Sequence, residues 1–253
     1  MSTFPVGVWI FLEVLVVCLG IWRLSRFINA YKNTEEVLPV EDRIEEMVLS
    51  QIKNKVLATF VTRDLLMFYY LFSKSKESNI EKSNEYTLHK KMGYGGMVFG
   101  FIFVLLLEGI GVSYFLHNWS KLAAWIHLVL SLYMMGFLLG DYKAIIRNPL
   151  LLSQDKIHFR FGLRMKVEIF IRNIELIQSG KINYEIDKKR KDVWVATLLE
   201  FEGPNIEIAL KEPIMIKDGI GREHLTRKIY LSLDEEDLFM RQVNTVVSKN
   251  EVV

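Results

Sequence analysis

Residues 94–143 read YGGMVFGFIFVLLLEGIGVSYFLHNWSKLAAWIHLVLSLYMMGFLLGDYK. From Tyr94 to Leu116 the only charged side chain is Glu108, and from Leu122 to Gly140 there is no Asp, Glu, Lys or Arg. A helix needs about 20 mostly apolar residues to cross the hydrocarbon of a bilayer. Both runs qualify, at about residues 94–116 and 121–141. Only His117-Asn118-Trp119-Ser120-Lys121 separates them. The pair therefore predicts an antiparallel helical hairpin, with Trp119 and Trp125 at the end where amphipathic indoles favour the interface.

The basic residues give the hairpin a direction. Lys74, Lys76, Lys82, Lys90 and Lys91 precede it, Lys143 and Arg147 follow it, and the tip carries only Lys121. By the positive-inside rule both flanks are cytoplasmic and the tip is outside. Everything after residue 141 is then expected in the cytoplasm of a multi-pass protein of the cell membrane.

Two further apolar runs precede the hairpin. Pro5–Trp22 contains one charge, Glu13, and leads into Arg23 and Arg26. Its positive charges follow the apolar stretch, unlike those of a signal peptide, so a retained helix at about residues 5–23 is expected. Val56–Phe72 carries Arg63 and Asp64 at its centre. Charges at membrane depth cost about 2.5–3.5 kcal/mol each on insertion scales. The segment therefore spans, with those groups facing a polar interior, or lies amphipathically on the surface. The first case puts the acidic segment with Glu35, Glu36, Glu41, Asp42, Glu45 and Glu46 outside; the second puts the N-terminus outside. The membrane region, residues 1–148, thus has three or four transmembrane helices.

Composition fits a chain with two solvents. Of 253 residues, 51% are hydrophobic and 25% charged, and the net charge is +2. That balance argues against a nucleic-acid footprint. The single cysteine, Cys18, excludes a disulfide framework and a thiolate metal site. Gly96, Gly100, Gly136 and Gly140 form two small-residue pairs at matching depth, which would let the helices approach closely. Glu108, His127 and Asp141 are the ionisable groups to weigh for intramembrane chemistry, with Glu108 and His127 the only suggestion of metal ligands. Two ligands make a weak metal site, and a buried hydrogen bond that fixes the helix pair is the preferred reading of these groups. No cofactor is expected.

After Pro149 the apolar period shortens to alternation, the signature of strands. Lys156–Phe161 and Met165–Ile171 read as a hairpin about Gly162-Leu163-Arg164, with Ile174–Ile177 next. Further strands are expected at Ile182–Ile186, Val193–Phe201, Ile206–Leu210 and Arg227–Leu231, and a long loop over 212–224. Ser232 and Glu235 match a capping box, which predicts a closing helix with Leu238, Phe239 and Val243 toward the sheet. Residues 149–253 are thus expected to be a small β-barrel-like domain with a C-terminal capping helix.

Leu151-Leu-Ser-Gln-Asp-Lys-Ile-His-Phe-Arg-Phe-Gly162, then Ile171-Arg-Asn-Ile174-Glu-Leu-Ile177, resembles the opening of bacterial PH-like domains. Ile229-Tyr-Leu-Ser-Leu-Asp-Glu-Glu-Asp-Leu-Phe239 resembles the strand and capped helix that close them. Arg63-Asp-Leu-Leu-Met-Phe-Tyr-Tyr70, Tyr86-Thr-Leu-His-Lys90, Ala124-Trp-Ile-His-Leu128 and Leu139-Gly-Asp-Tyr-Lys-Ala144 are similar to segments of a group of uncharacterised bacterial multi-pass membrane proteins. The PH-like resemblance implies a binding module, an inference from fold analogy alone. The expectation is a non-enzymatic membrane scaffold or regulator. Its cytoplasmic domain would bind a protein partner, or the lipid bilayer through Lys188, Lys189, Arg190 and Lys191. The alternative is a small membrane enzyme or transporter subunit built on Glu108, His127 and Asp141, which would require a homo-oligomer.

Overall fold

The computed structural model describes residues 39–73, 84–90, 93–197 and 203–251. The apolar run Pro5–Trp22, Cys18, and the basic residues Lys74, Lys76, Lys82 and Lys91 lie outside the described residues. The chain forms two compact units that divide between Leu65 and Leu66.

In the first unit, α1 (Val40–Gln51) buries Ile44, Met47 and Val48, the i, i+3, i+4 spacing of one helix face. Asn54 starts α2 (Lys55–Phe72), where its Oδ1 accepts from the N–H groups of Val56 at 3.0 Å and Leu57 at 3.1 Å. A short polar side chain in this position satisfies amide donors that have no helical partner. Arg63 stacks on the Phe60 ring, 5.2 Å from its centroid.

The second unit contains the two helices among the described residues that are long and apolar enough to cross a membrane, α3 (Tyr94–Trp119) and α4 (Lys121–Arg147). Both start where expected and run further at their C-terminal ends, so the link shrinks to Ser120. The Ser120 N–H donates to the Leu116 carbonyl at 2.7 Å, closing α3, and its Oγ accepts from the Ala123 N–H at 3.4 Å, opening α4. One hydroxyl residue thus ends one helix and caps the next.

The remainder of the second unit forms two four-stranded sheets. The first has the order β1 (Glu85–Tyr86), β2 (Leu150–Leu152), β3 (Lys156–Phe161), β4 (Met165–Phe170), all antiparallel. The second has the order β5 (Ile174–Ser179), β7 (Ile206–Lys217), β8 (Glu223–Leu231), β6 (Val193–Ala196), with β6 parallel to β8. Gly162 turns β3 into β4 with φ +57°, a left-handed conformation that favours glycine. Alternate side chains of both sheets, among them Ile157, Phe159, Val167, Ile169, Ile208 and Ile229, share one core with Phe239 and Val243 of α6 (Glu236–Glu251). Tyr94, Val98 and Ile145 of the long helices belong to that same core.

Several expectations are corrected here. Ile182–Ile186 is not a strand: Tyr184–Asp187 makes one helical turn, α5. The interval 212–224 is not a loop but the two arms of the β7–β8 hairpin, turning over Asp218–Arg222. Pro213 sits inside the register shift between Ala209 and Ile214, where its missing N–H costs no ladder bond. β6 is parallel to β8, unlike the antiparallel pairs elsewhere in the two sheets. The Val193–Phe201 strand is seen as Val193–Ala196, its remainder from 198 lying outside the described residues. Glu235 does not close a capping box on Ser232. Its carboxylate accepts from the Thr87 N–H at 2.8 Å and hydroxyl at 2.9 Å, while Asp234 accepts from the Thr87 hydroxyl at 2.7 Å and the Lys90 N–H at 2.9 Å. The segment ahead of the helix pair is thereby pinned to the start of α6.

Candidate functional site: the helix–sheet junction

Asp141 is expected from the sequence as an intramembrane ionisable group, and the structure gives it a different task. It lies one residue beyond Gly140, near the end of α4 that meets the sheet, and is buried to 1% exposure. Its Oδ1 accepts from the Leu163 N–H at 2.9 Å in the β3–β4 turn. Its Oδ2 accepts from the Tyr94 hydroxyl at 2.7 Å and from Arg164 Nη2 at 3.3 Å. A buried carboxylate is tolerated only when its lone pairs are filled in this way. The β3–β4 turn closes tightly over it: a Cβ added at Gly162 would come 2.4 Å from Asp141 Oδ1. One side chain therefore joins the start of α3, the end of α4 and the first sheet.

The end of α4 also holds the end of α2 within the second unit. Lys143 Nζ donates to the Leu71 carbonyl at 2.8 Å, and Arg147 donates to the Ser73 hydroxyl at 2.6 Å and carbonyl at 2.7 Å. Asn148 donates to the Tyr70 hydroxyl at 2.7 Å. Cations on the last carbonyls of a helix offset its negative end.

The glycine pairs are not where the two long helices meet. A Cβ at Gly96 or Gly100 would touch nothing within 4 Å. Gly136 faces Leu71, and Gly140 packs on Met67, whose Cγ would be 2.9 Å from an added Cβ; both partners belong to α2. The close approaches of α3 and α4 are Gly95 against Tyr142 and Gly109 against Ser131. Small-residue spacing marks where a helix can be approached closely, but not which neighbour makes the approach.

Glu108 and His127 are not brought together. His127 Nδ1 lies 3.1 Å from Ser113 Oγ across the helix pair, and Glu108 is on the exposed side of α3. Gly109–Ser131 and Ser113–His127 are both symmetric about Ser120, one residue past the expected centre at Trp119. Among the described residues no three His, Cys, Asp or Glu side chains converge as a metal-binding set.

A second polar cluster was not foreseen. On the face of β7–β8 away from the core, Lys228 Nζ is 2.5 Å from Asp187 Oδ2 and 3.1 Å from Glu207 Oε1. The Tyr230 hydroxyl donates to Asp187 at 2.8 Å, and Gln178 and the Asn183 N–H each donate to Glu207 at 2.9 Å. The Lys228 hydrogen bond holds the Asp187 carboxyl below the usual carboxylate range. Burial alone would raise Glu207, but the Asn183 N–H, Gln178 and Lys228 outweigh it and hold it low. The ammonium of Lys228 is raised in turn, first by Asp187. Alternation along β7 and β8 puts Glu207, Lys228 and Tyr230 on one face, but the pattern over 182–186 predicts a strand where the helical turn α5 covers them.

The basic run closes this cluster only in part. Arg190 is taken up by Asp192 at 2.7 Å and Asp187 at 3.4 Å, and Lys188 pairs with Glu185. Lys189 and Lys191 are exposed, beside Ile186 at 79% exposure. All four cations are exposed, but Lys188 and Arg190 are each paired with neighbouring carboxylates. Compared with protein-family models, with curated proteins and with solved structures, the chain finds no match.

Proposed function

We propose that the chain is a bacterial, non-enzymatic membrane scaffold or regulator of three or four transmembrane helices. Its PH-like domain sits on the cytoplasmic face and binds a protein partner or the membrane surface. The Asp141 latch carries this reading. It ties the β3–β4 turn to both long helices, so the sheets are held in a fixed position beside the helix ends. A domain held in this way suits display of a surface better than free movement on a tether. Two four-stranded sheets closed by α6 support the PH-like assignment. The flanking cations Lys143 and Arg147 support a cytoplasmic domain, with the Trp119 end of the hairpin outside.

Complementation of a deletion strain tests the proposal, with membrane abundance measured alongside. The scaffold reading expects Glu108→Gln and His127→Ala to complement fully. It expects the surface triple Ile186→Asp, Lys189→Glu, Lys191→Glu to fail at normal abundance. The opposite pattern would favour a membrane enzyme or transporter subunit and sink the scaffold reading.

A further inference from the structure

The β7–β8 hairpin carries an apolar pair that its own fold does not use. Met215 and Leu225 are cross-strand neighbours, yet they are 58% and 55% exposed. Met215 and Leu225 alternate with Ile216 and Thr226, which are buried, so their outward direction is set by the strand period. Exposed Lys211, Lys217, Arg222 and Arg227 surround the pair, against Glu212 and Glu223. The turn itself is built rigidly. Asp218 Oδ1 accepts from the N–H groups of Ile220 at 3.0 Å and Arg222 at 2.8 Å, and its Oδ2 holds His224 at 3.0 Å.

The position of this turn can be fixed against the helices. An added Cβ at Gly219 would lie 3.7 Å from the Cβ of Arg164, and Arg164 reaches the Asp141 carboxylate at 3.3 Å. The turn is therefore within one arginine side chain of Asp141. On α4 the uncharged stretch Leu122–Gly140 ends beside that same residue. At 1.5 Å per residue the stretch spans about 28 Å, close to the thickness of a bilayer's hydrocarbon. On the membrane reading Asp141 marks the level at which hydrocarbon gives way to headgroups, and the β7–β8 turn lies within about one arginine side chain of it.

We infer that the β7–β8 hairpin rests in the headgroup layer of the bilayer crossed by α3 and α4, with Met215 and Leu225 entering the acyl boundary and Lys217, Arg222 and Arg227 on anionic phosphates. The inference rests on the membrane reading of the helix pair and names the surface through which the domain touches lipid. Apolar side chains flanked by cations are the composition that binds an interface of this kind. The surface is distinct from the Lys188–Lys191 run, from which lipid contact was first expected.

Full-length chain with Cys18→Ser is reconstituted in nanodiscs of phosphatidylcholine and phosphatidylglycerol. A polarity-sensitive nitrobenzoxadiazole label is placed on Met215→Cys, Leu225→Cys or Phe103→Cys in turn. Discs with and without a doxyl quencher near the headgroup end of the acyl chain are compared. The inference expects blue-shifted emission and loss of most intensity at 215 and 225, with quenching at 103 as well. Quenching at 103 but at neither hairpin position overturns the inference and leaves the membrane reading standing. No quenching at 103 overturns both. Both hairpin side chains are exposed, so their replacement leaves the core intact.

Discussion

The helix pair and the two sheets use the same side chains in opposite ways. In β3, Ile157 and Phe159 are fully buried, whereas on α3 Phe103 and Ile110 are 62% and 69% exposed. Burial of such a side chain contributes about 1.5–3 kcal/mol, and soluble monomers rarely leave a contiguous row of them in water. The sheets build their own apolar interior, while the helices require one from outside. Polar groups divide along the same line. Within the apolar length of the helix pair polar groups meet singly, as in Ser113 with His127, and the multiply bonded Asp141 sits at the end that meets the sheet. The sheet gathers Asp187, Glu207, Lys228 and Tyr230 into one network under α5.

The largest effect is expected where charge is most buried. Lys228→Met strands two carboxylates and should lower stability by about 3–5 kcal/mol, read as thermal unfolding of the full chain in detergent. Adding Asp187→Asn and Glu207→Gln should recover most of the loss; no recovery would mean that the network is not an electrostatic unit. The same groups set the pH limits. Asp187 and Glu207 are held below their ordinary values. Their contribution is complete above the unfolded carboxyl range near 4 and is lost as pH falls through the depressed folded values. Lys228 is raised, so its contribution is complete below about 10.4 and is lost as pH rises through the folded value. A melting profile that stays flat from pH 5 down to 2 would contradict the acid half of this account.

Phe103→Arg sharpens the contrast from the helix side. An arginine deep in a bilayer costs about 2.5–3.5 kcal/mol on insertion scales. The fraction of chain that resists alkaline carbonate extraction should fall, and an unchanged fraction would argue that Phe103 faces water. Asp141→Ala attacks the junction between the two regions. It leaves the Leu163 N–H and the Tyr94 hydroxyl without their acceptor, at a cost of about 1–3 kcal/mol. Protease sensitivity in the β3–β4 turn should rise while carbonate resistance holds; loss of both would make Asp141 a determinant of insertion instead. Least affected should be Ile186→Lys, which places a charge on an already exposed side chain and should change stability by less than about 0.5 kcal/mol.

Those parts of the fold that depend on local period were legible in the sequence. The long apolar stretches predict α3 and α4, and alternation predicts β3 and β4 with their turn at Gly162. Features that depend on distant partners were not. β1 is two residues long and exists only because Glu85 and Tyr86 pair with Leu151 and Leu150. Glu235 follows Ser232 at the spacing of a capping box, yet it is claimed by Thr87 from across the chain. Pro213 and the glycines at 219 and 221 suggested a loop, because a register shift that absorbs a proline leaves no mark in the hydrophobic pattern. Of the candidate site, Asp141 was identified as a residue but not in its role. Its partners Leu163 and Arg164 belong to a turn that the sequence places in another region.

In the proposed arrangement α3 and α4 cross a bilayer and present the sheets on its cytoplasmic side. Cysteine accessibility in intact cells tests it most directly, with Trp119→Cys and Lys189→Cys each placed in a Cys18→Ser chain and treated with a membrane-impermeant maleimide. The account predicts labelling at residue 119 in intact cells and at residue 189 only after permeabilisation. Equal labelling of both positions before permeabilisation would contradict it.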